Sequence, residues 1–209
     1  MQLAVIAQPH QQQAWQQAMA GGHAVCSFYS RVQDVPAGAA AVVDLDFSPL
    51  PERVAALAAF LPAPVLINSV CHTLKQVGQP FIRINAWPGF LNQAVHEIAA
   101  PGAQAAQQAA PVLQALGWQY RMAPDVPGFI TPRVIAMIVN EAFFALGEGV
   151  STREEIDVAM RLGTGYPKGP FEWAAEIGLE NIHQLLKTLE TTGPRYTLAP
   201  ALANALQHD

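Results

Sequence analysis

Between residues 163 and 170 five of eight positions are Gly or Pro (Gly163, Gly165, Pro167, Gly169, Pro170). Such a stretch cannot continue a helix and must be a turn-rich loop. What precedes it is strongly helical. Ile135, Ile138, Val139, Ala142, Phe143 and Leu146 recur at i, i+3, i+4, i+7, i+8 and i+11, which predicts one apolar helix face that has to be buried. Gly147 and Gly149 stop this helix, and Ser151 followed three residues later by Glu154 reads as a capping box for a second one ending near Leu162. Residues 127–173 therefore predict a helix, a sharp stop, a capped helix and an ordered loop.

These residues also carry a resemblance. PGFITPR at 127–133, the EA of VNEAFFALGEGV, EEIDVAMRLGTGYPKGPFE at 154–172 and the following IGLE resemble the C-terminal helical domain of the 3-hydroxyacyl-CoA dehydrogenases. The resemblance is long and nearly ungapped. It implies a helical domain that forms a homodimer, preceded by an NAD-binding sheet domain, but shared fold does not carry shared chemistry with it.

The N-terminal part fits that expectation in outline. Apolar runs at 3–7, 24–29, 41–45, 64–68, 81–85, 94–98 and 118–122 read as strands, and 11–20, 51–61 and 101–116 as helices between them. Alternation at this pace predicts a mostly parallel sheet covered on both faces. The expected fold is α/β plus α: a truncated Rossmann-like domain at 1–124, then an all-helical dimerisation domain at 125–209. Compared with the family, the chain between the second and third strands is cut down to the short loop at 31–40.

The departures bear on function. In the family the first strand leads into a glycine-rich turn whose backbone N–H groups hold the NAD pyrophosphate, and glycine is needed because a Cβ would block close approach. Here the three fingerprint positions fall on Ala7, Pro9 and Gln12, and Pro9 has no N–H to donate. The acidic residue that binds the ribose aligns with Tyr29. No cofactor is expected on this reading, or NAD if the family activity survives. His10, on the same turn, is a candidate for ligand contact.

The resemblance places the chemical centre on residues 81–98. In the family a His is the general base and a Glu twelve positions later orients it, while a Ser and an Asn bind the substrate oxygen. Those positions fall on Asn85 and Glu97 (85 + 12 = 97), on Val70 with Ser69 adjacent, and on Pro132. The orienting carboxylate stays, but an amide cannot take up a proton near neutral pH. Glu97 reads equally as a buried carboxylate satisfied by backbone donors. His72, after the fourth strand, is the best substitute base, because ligands of open α/β sheets bind at the carboxyl ends of the strands. His96 neighbours Glu97 and should point to the opposite face of the strand. Trp87, Phe90 and Trp118 read as core or cleft wall. The candidate catalytic set is thus Glu97, Asn85, Ser69 and His72.

Composition narrows the partners. A net charge of -5, a pI near 5.6 and the lack of a basic run argue against nucleic acid or an anionic membrane. Cys26 and Cys71 have neither a disulfide framework nor metal-ligand spacing, so buried reduced thiols, a cytoplasmic setting and no metal are expected. The N-terminus has no basic flank and only a short apolar run, so neither a signal peptide nor a membrane span is expected to begin there. The leading expectation is a divergent 3-hydroxyacyl-CoA dehydrogenase-like homodimer with NAD binding and base catalysis lost or reduced and an acyl-CoA or other small-ligand cleft kept between the domains. The alternatives are an oxidoreductase, namely an active NAD-dependent 3-hydroxyacyl-CoA dehydrogenase with unusual cofactor contacts, or a purely structural dimerising protein.

Overall fold

A computed structural model describes residues 1–19 and 21–207 and divides into two compact units, Met1–Phe129 and Ile130–Asp209. The first is a sheet of seven described strands, β1 (Gln2–Ile6), β2 (Val25–Tyr29), β3 (Val42–Asp44), β4 (Val65–Asn68), β5 (Ile82–Ile84), β6 (His96–Ala99) and β7 (Tyr120–Met122), in the order β2-β1-β3-β4-β5-β6-β7. All neighbours run parallel except β5 and β6. A parallel crossover needs a dozen or more residues and usually a helix; the short turn-rich stretch between β5 and β6 has no helix, so the chain returns antiparallel.

The period-two alternation of the strands sorts the core into two layers. Leu3, Val5, Val43, Leu66, Ile82, Ile84 and Ile98 face α1 (Pro9–Ala18) and α4 (Ala103–Ala115) through Trp15, Ala109, Val112 and Leu113. On the other face Ala4, Ile6, Val42, Val65, Ile67 and Phe81 meet Leu57 of α2 (Pro51–Ala58) and Leu74 and Val77 of α3 (Leu74–Val77). Every strand expected from the sequence forms, some of them shorter: Ala94 and Trp118 lie outside β6 and β7. The expected first helix ended at Ala20, which lies outside the described residues. The four-residue α3 was not anticipated, being too short to show a period. The first unit runs past the expected boundary at 124, because Asp125, Val126, Gly128 and Phe129 are bonded back to β5 and the loop after β4.

In the second unit α5 (Thr131–Gly147) is followed by α6 (Arg153–Thr164), α7 (Pro170–Ile177), α8 (Leu179–Glu190) and α9 (Pro200–Ala205). Phe143 of α5 meets Phe171 of α7 edge to face at 5.0 Å. Buried Asn140 accepts from the Ala199 N–H and donates to the Thr197 carbonyl, both at 2.9 Å, and so ties α5 to the start of α9. The buried face of α5 is Pro132, Ile135, Ala136, Val139, Asn140, Ala142 and Phe143. Ile138 and Leu146, expected on that face, are only half-buried, since at 100° per residue they sit at its margins. The cap of α6 also shifts by one residue from the expected Ser151/Glu154: Thr152 accepts from the Glu155 N–H at 3.3 Å. The loop at 165–169 opens with Gly165 in a left-handed conformation (φ 72°). It closes with Gly169, where a Cβ would run into the Asp157 side chain that accepts from the Phe171 N–H.

Candidate functional site

The carboxyl ends of β1 and β3 flank the point where strand order reverses, the usual place for a nucleotide in an open sheet. Here side chains close it. The Gln8 N–H donates to Gln11 Oε1 at 2.8 Å, the Gln11 amide donates to the Leu45 carbonyl at 2.9 Å, and the Gln12 amide to the Ala7 carbonyl at 3.1 Å. The Gln8 amide reaches Asp46 at 3.2 Å. Of the N–H groups a glycine cradle would present, that of Gln8 is engaged and Pro9 has none. Beside the turn, buried Asp44 and partly exposed Asp46 share the single guanidinium of Arg53, at 2.7 and 3.6 Å. Burial pushes the Asp44 carboxyl upward against the lowering pull of Arg53. One net negative charge next to a turn whose Gln8 N–H is engaged and whose Pro9 has none does not fit a dinucleotide pyrophosphate. Tyr29, at the end of β2, uses its carbonyl to accept from the Ala7 N–H at 3.0 Å.

A second polar cluster lies at the ends of β4, β5 and β6. The antiparallel register pairs Arg83 with Ala99 and Ile84 with Ile98. Both pairs sum to 182, so one further step sets Asn85 opposite Glu97 (85 + 97 = 182). Side chains directly opposite on neighbouring strands share a face, and Asn85 and Glu97 are on the face away from Ile84 and Ile98. Asn85 is buried, and its Oδ1 accepts from the Trp87 N–H at 3.4 Å. Asn68 bridges the neighbouring turns, donating to the Leu45 carbonyl at 3.1 Å and accepting from the Ala86 N–H at 3.0 Å.

Ser69 is buried and spends its proton on the His72 carbonyl at 2.9 Å. That bond closes the loop at 69–72 and leaves the hydroxyl oxygen as an acceptor. His72 is half-buried; burial first, and the Arg83 charge second, hold its imidazole below the ordinary value, so it is neutral near pH 7. Burial pushes the neighbouring Cys71 thiol up to about 12, which leaves almost no nucleophilic thiolate. Cys26, half-buried, takes a weak bond from the Trp15 indole at 3.4 Å.

His96 lies on the opposite face from Glu97, stacked on Trp118 with centroids 3.9 Å apart and planes 11° from parallel. Desolvation lowers it to about 4. It belongs to the core, as do Trp87, Phe90 and Trp118. His10 is exposed at the start of α1.

Sequence reasoning missed Arg83. Fully buried, it donates to the carbonyls of Ser69 (2.8 Å), Val70 (3.1 Å) and Val126 (3.2 Å) and to Asp125 (2.6 Å), and its guanidinium lies 4.4 Å from the Phe129 ring centroid. Asp125 in turn accepts from the Leu74 and Lys75 N–H groups at the start of α3. The guanidinium therefore fixes the loop carrying Ser69 and His72 against the chain at 125–129. The signal was present in FIRIN: an arginine within a buried strand requires a partner. Among the described residues no group of three or more His, Cys, Asp or Glu could hold a metal ion, and no helix is long and apolar enough to cross a membrane.

Comparison with known proteins places the helical unit first. Residues 128–208 match the 3-hydroxyacyl-CoA dehydrogenase C-terminal domain. The 3-hydroxyadipyl-CoA dehydrogenase of Escherichia coli K12 is 45% identical over 78 residues, 37% of this chain and 16% of that protein. A 3-hydroxybutyryl-CoA dehydrogenase of Bradyrhizobium diazoefficiens is 42% identical over 74 residues, 35% of this chain and 25% of that protein. These matches thus span a quarter or less of the relatives. The crystal structure of (S)-3-hydroxybutyryl-CoA dehydrogenase PaaH1 from Ralstonia eutropha superposes with a TM-score of 0.77 at 19% identity, covering 99% of this chain and 93% of that one. At that identity the match establishes the fold of both units.

Proposed function

We infer that this chain, whose residues 128–208 match the 3-hydroxyacyl-CoA dehydrogenase C-terminal domain, descends from that family and recognises a small oxygenated acyl ligand, such as an acyl-CoA, but has lost NAD binding and general-base catalysis. What supports this reading is the β5–β6 register, which pairs Ile84 with Ile98 and, carried one residue past the end of β5, would set Asn85 opposite Glu97. The carboxylate that would orient a base remains, and an amide stands where the base would be. Asn85 can hold an oxygen by its amide N–H but cannot accept its proton, and general-base assistance contributes about 10²- to 10⁴-fold to a rate. The closed turn at Gln8 and Gln11 supports the loss of the cofactor independently.

The test is NADH formation from a 3-hydroxybutyryl-CoA substrate, with calorimetric titration of NAD and of acetoacetyl-CoA. The expected result is no turnover, no saturable NAD binding below about 1 mM, a binding free energy of roughly 4 kcal/mol, and measurable acyl-CoA binding. Turnover at ordinary dehydrogenase rates, lost in His72→Ala, would overturn the reading and make His72 the base of an active enzyme. Asn85→His restores a base opposite Glu97 and is expected to remain inactive, because no hydride acceptor binds.

A further inference from the structure

A groove of about 450 Å³ runs between α5 and the turn at Pro194–Tyr196, a size suited to a small molecule. Its long wall is apolar: Val134 is 53% exposed, and Met137 and Ile138 are half-buried. Arg133 and Arg195 gather around Tyr196, and Glu141 lies two turns along α5 from Arg133, about 12 Å away at the helical rise.

Tyr196 is what brings the two guanidiniums together. Its ring is buried, and the ring centroid lies 5.3 Å from the Arg133 Cζ and 5.2 Å from the Arg195 Cζ. Among the described residues neither arginine nor Glu141 takes part in an ion pair. The Arg133 Nε is buried without an acceptor, and a buried donor left unpaired costs stability until something accepts from it. A guanidinium held against an aromatic ring keeps its N–H edge for an oxyanion, and its planar fork matches a carboxylate. Two guanidiniums and one carboxylate leave the groove one positive charge in excess, in a chain whose net charge is -5. A monoanion closes that balance.

We propose that this groove binds a monocarboxylate with an apolar chain, its carboxylate between Arg133 and Arg195 and its chain along Val134, Met137 and Ile138. Glu141 repels a carboxylate and so fixes which way round the ligand lies. An extended chain of about eight carbons, roughly 9 Å long at the carbon–carbon bond length once zigzagged, fits the distance from Arg133 to Glu141. The inference does not rest on the acyl-CoA reading, which concerns residues of the first unit, and either can fail alone.

Octanoate is the probe, with octan-1-ol as the same chain without the charge and acetate as the charge without the chain. Calorimetric titration of the full chain is expected to give saturable octanoate binding with a dissociation constant on the order of 10⁻⁴ M. The alcohol and acetate should each bind at least about tenfold more weakly. With the arginine nitrogens isotope-labelled, the Nε–H resonances of Arg133 and Arg195 should shift with the same midpoint. Arg195→Ala should weaken octanoate at least about tenfold, and Arg195→Lys should recover only part of the loss. Arg195 is exposed, so circular dichroism should stay unchanged in both. Glu141→Leu lengthens the apolar wall and should tighten decanoate more than octanoate. No saturation by about 5 mM, equal binding of octan-1-ol, unmoved resonances at Arg133 and Arg195, or full octanoate affinity in a folded Arg195→Ala would each overturn the proposal. Resonances there that shift with protein concentration alone, with octanoate inert, would put a second copy in the groove and overturn it as well.

Discussion

Replacing Arg83 with Met keeps most of the side-chain volume and removes the charge, which isolates what the buried guanidinium does. Five hydrogen bonds are lost. The Ser69 carbonyl loses the bond the guanidinium gave it, whereas the Val126 carbonyl keeps the Phe129 N–H at 3.4 Å and the Val70 carbonyl keeps the Gly128 N–H at 2.8 Å. Asp125 keeps the Leu74 and Lys75 N–H groups, and at 28% side-chain exposure it regains water. Breaking a buried pair typically costs about 3–5 kcal/mol, and the partial rehydration of Asp125 argues for the lower end. With a slope of roughly 2 kcal/mol per molar urea, the midpoint of the first unit should fall by about 1.5 M. Arg83→Lys should recover only part of this, because a point ammonium cannot serve three carbonyls and a carboxylate from one position. In the Arg83→Met background, Asp125→Asn should cost at least about 1 kcal/mol less than it does in the natural chain. A midpoint unchanged within about 0.3 M, or additive single variants, would refute the clamp.

Acid stability should report His96. Its folded value of about 4 lies below the ordinary 6.5, so the unfolded chain binds the proton first. The contribution is fully present above pH 6.5 and drains away as pH falls toward 4, by up to about 3 kcal/mol; His96→Phe should flatten this limb of a urea-midpoint profile, and an unchanged limb would refute the assignment. Phe143→Asp places a charge against Phe171 in the core of the helical unit, and near-ultraviolet dichroism should show loss of packing there, with retention of the native signal the contrary result.

The features legible in the sequence were those set by local signals. Gly147, Gly165 and Pro170 punctuate the helical unit, and the apolar runs at β1, β3 and β4 could hardly be anything but buried strands. What stayed hidden depends on partners far away in the chain. Arg83 is explained by Asp125, forty-two residues on, and Gln11 by Leu45, thirty-four residues on. Ile138 was assigned to the core because a period alone does not show how wide the buried arc is, and the outer face of α5 has its own apolar stripe.

The loss of the glycine turn and the gain of its glutamines belong to one physical problem. A cradle for a pyrophosphate presents backbone N–H groups that a ligand satisfies, and without the ligand water must do so. Ala7 brings a Cβ and Pro9 removes a donor, so the turn can no longer bring its backbone up to a phosphate. The groups that remain still need partners. Gln11 supplies an acceptor to the Gln8 N–H and a donor to the Leu45 carbonyl, and Gln8 gives its amide to Asp46. The Gln8 N–H is therefore satisfied without a ligand. Glycine at position 11 would open two of those bonds and glycine at position 8 one, while leaving Asp46 and Pro9 in place, so either substitution should lower stability without restoring NAD affinity.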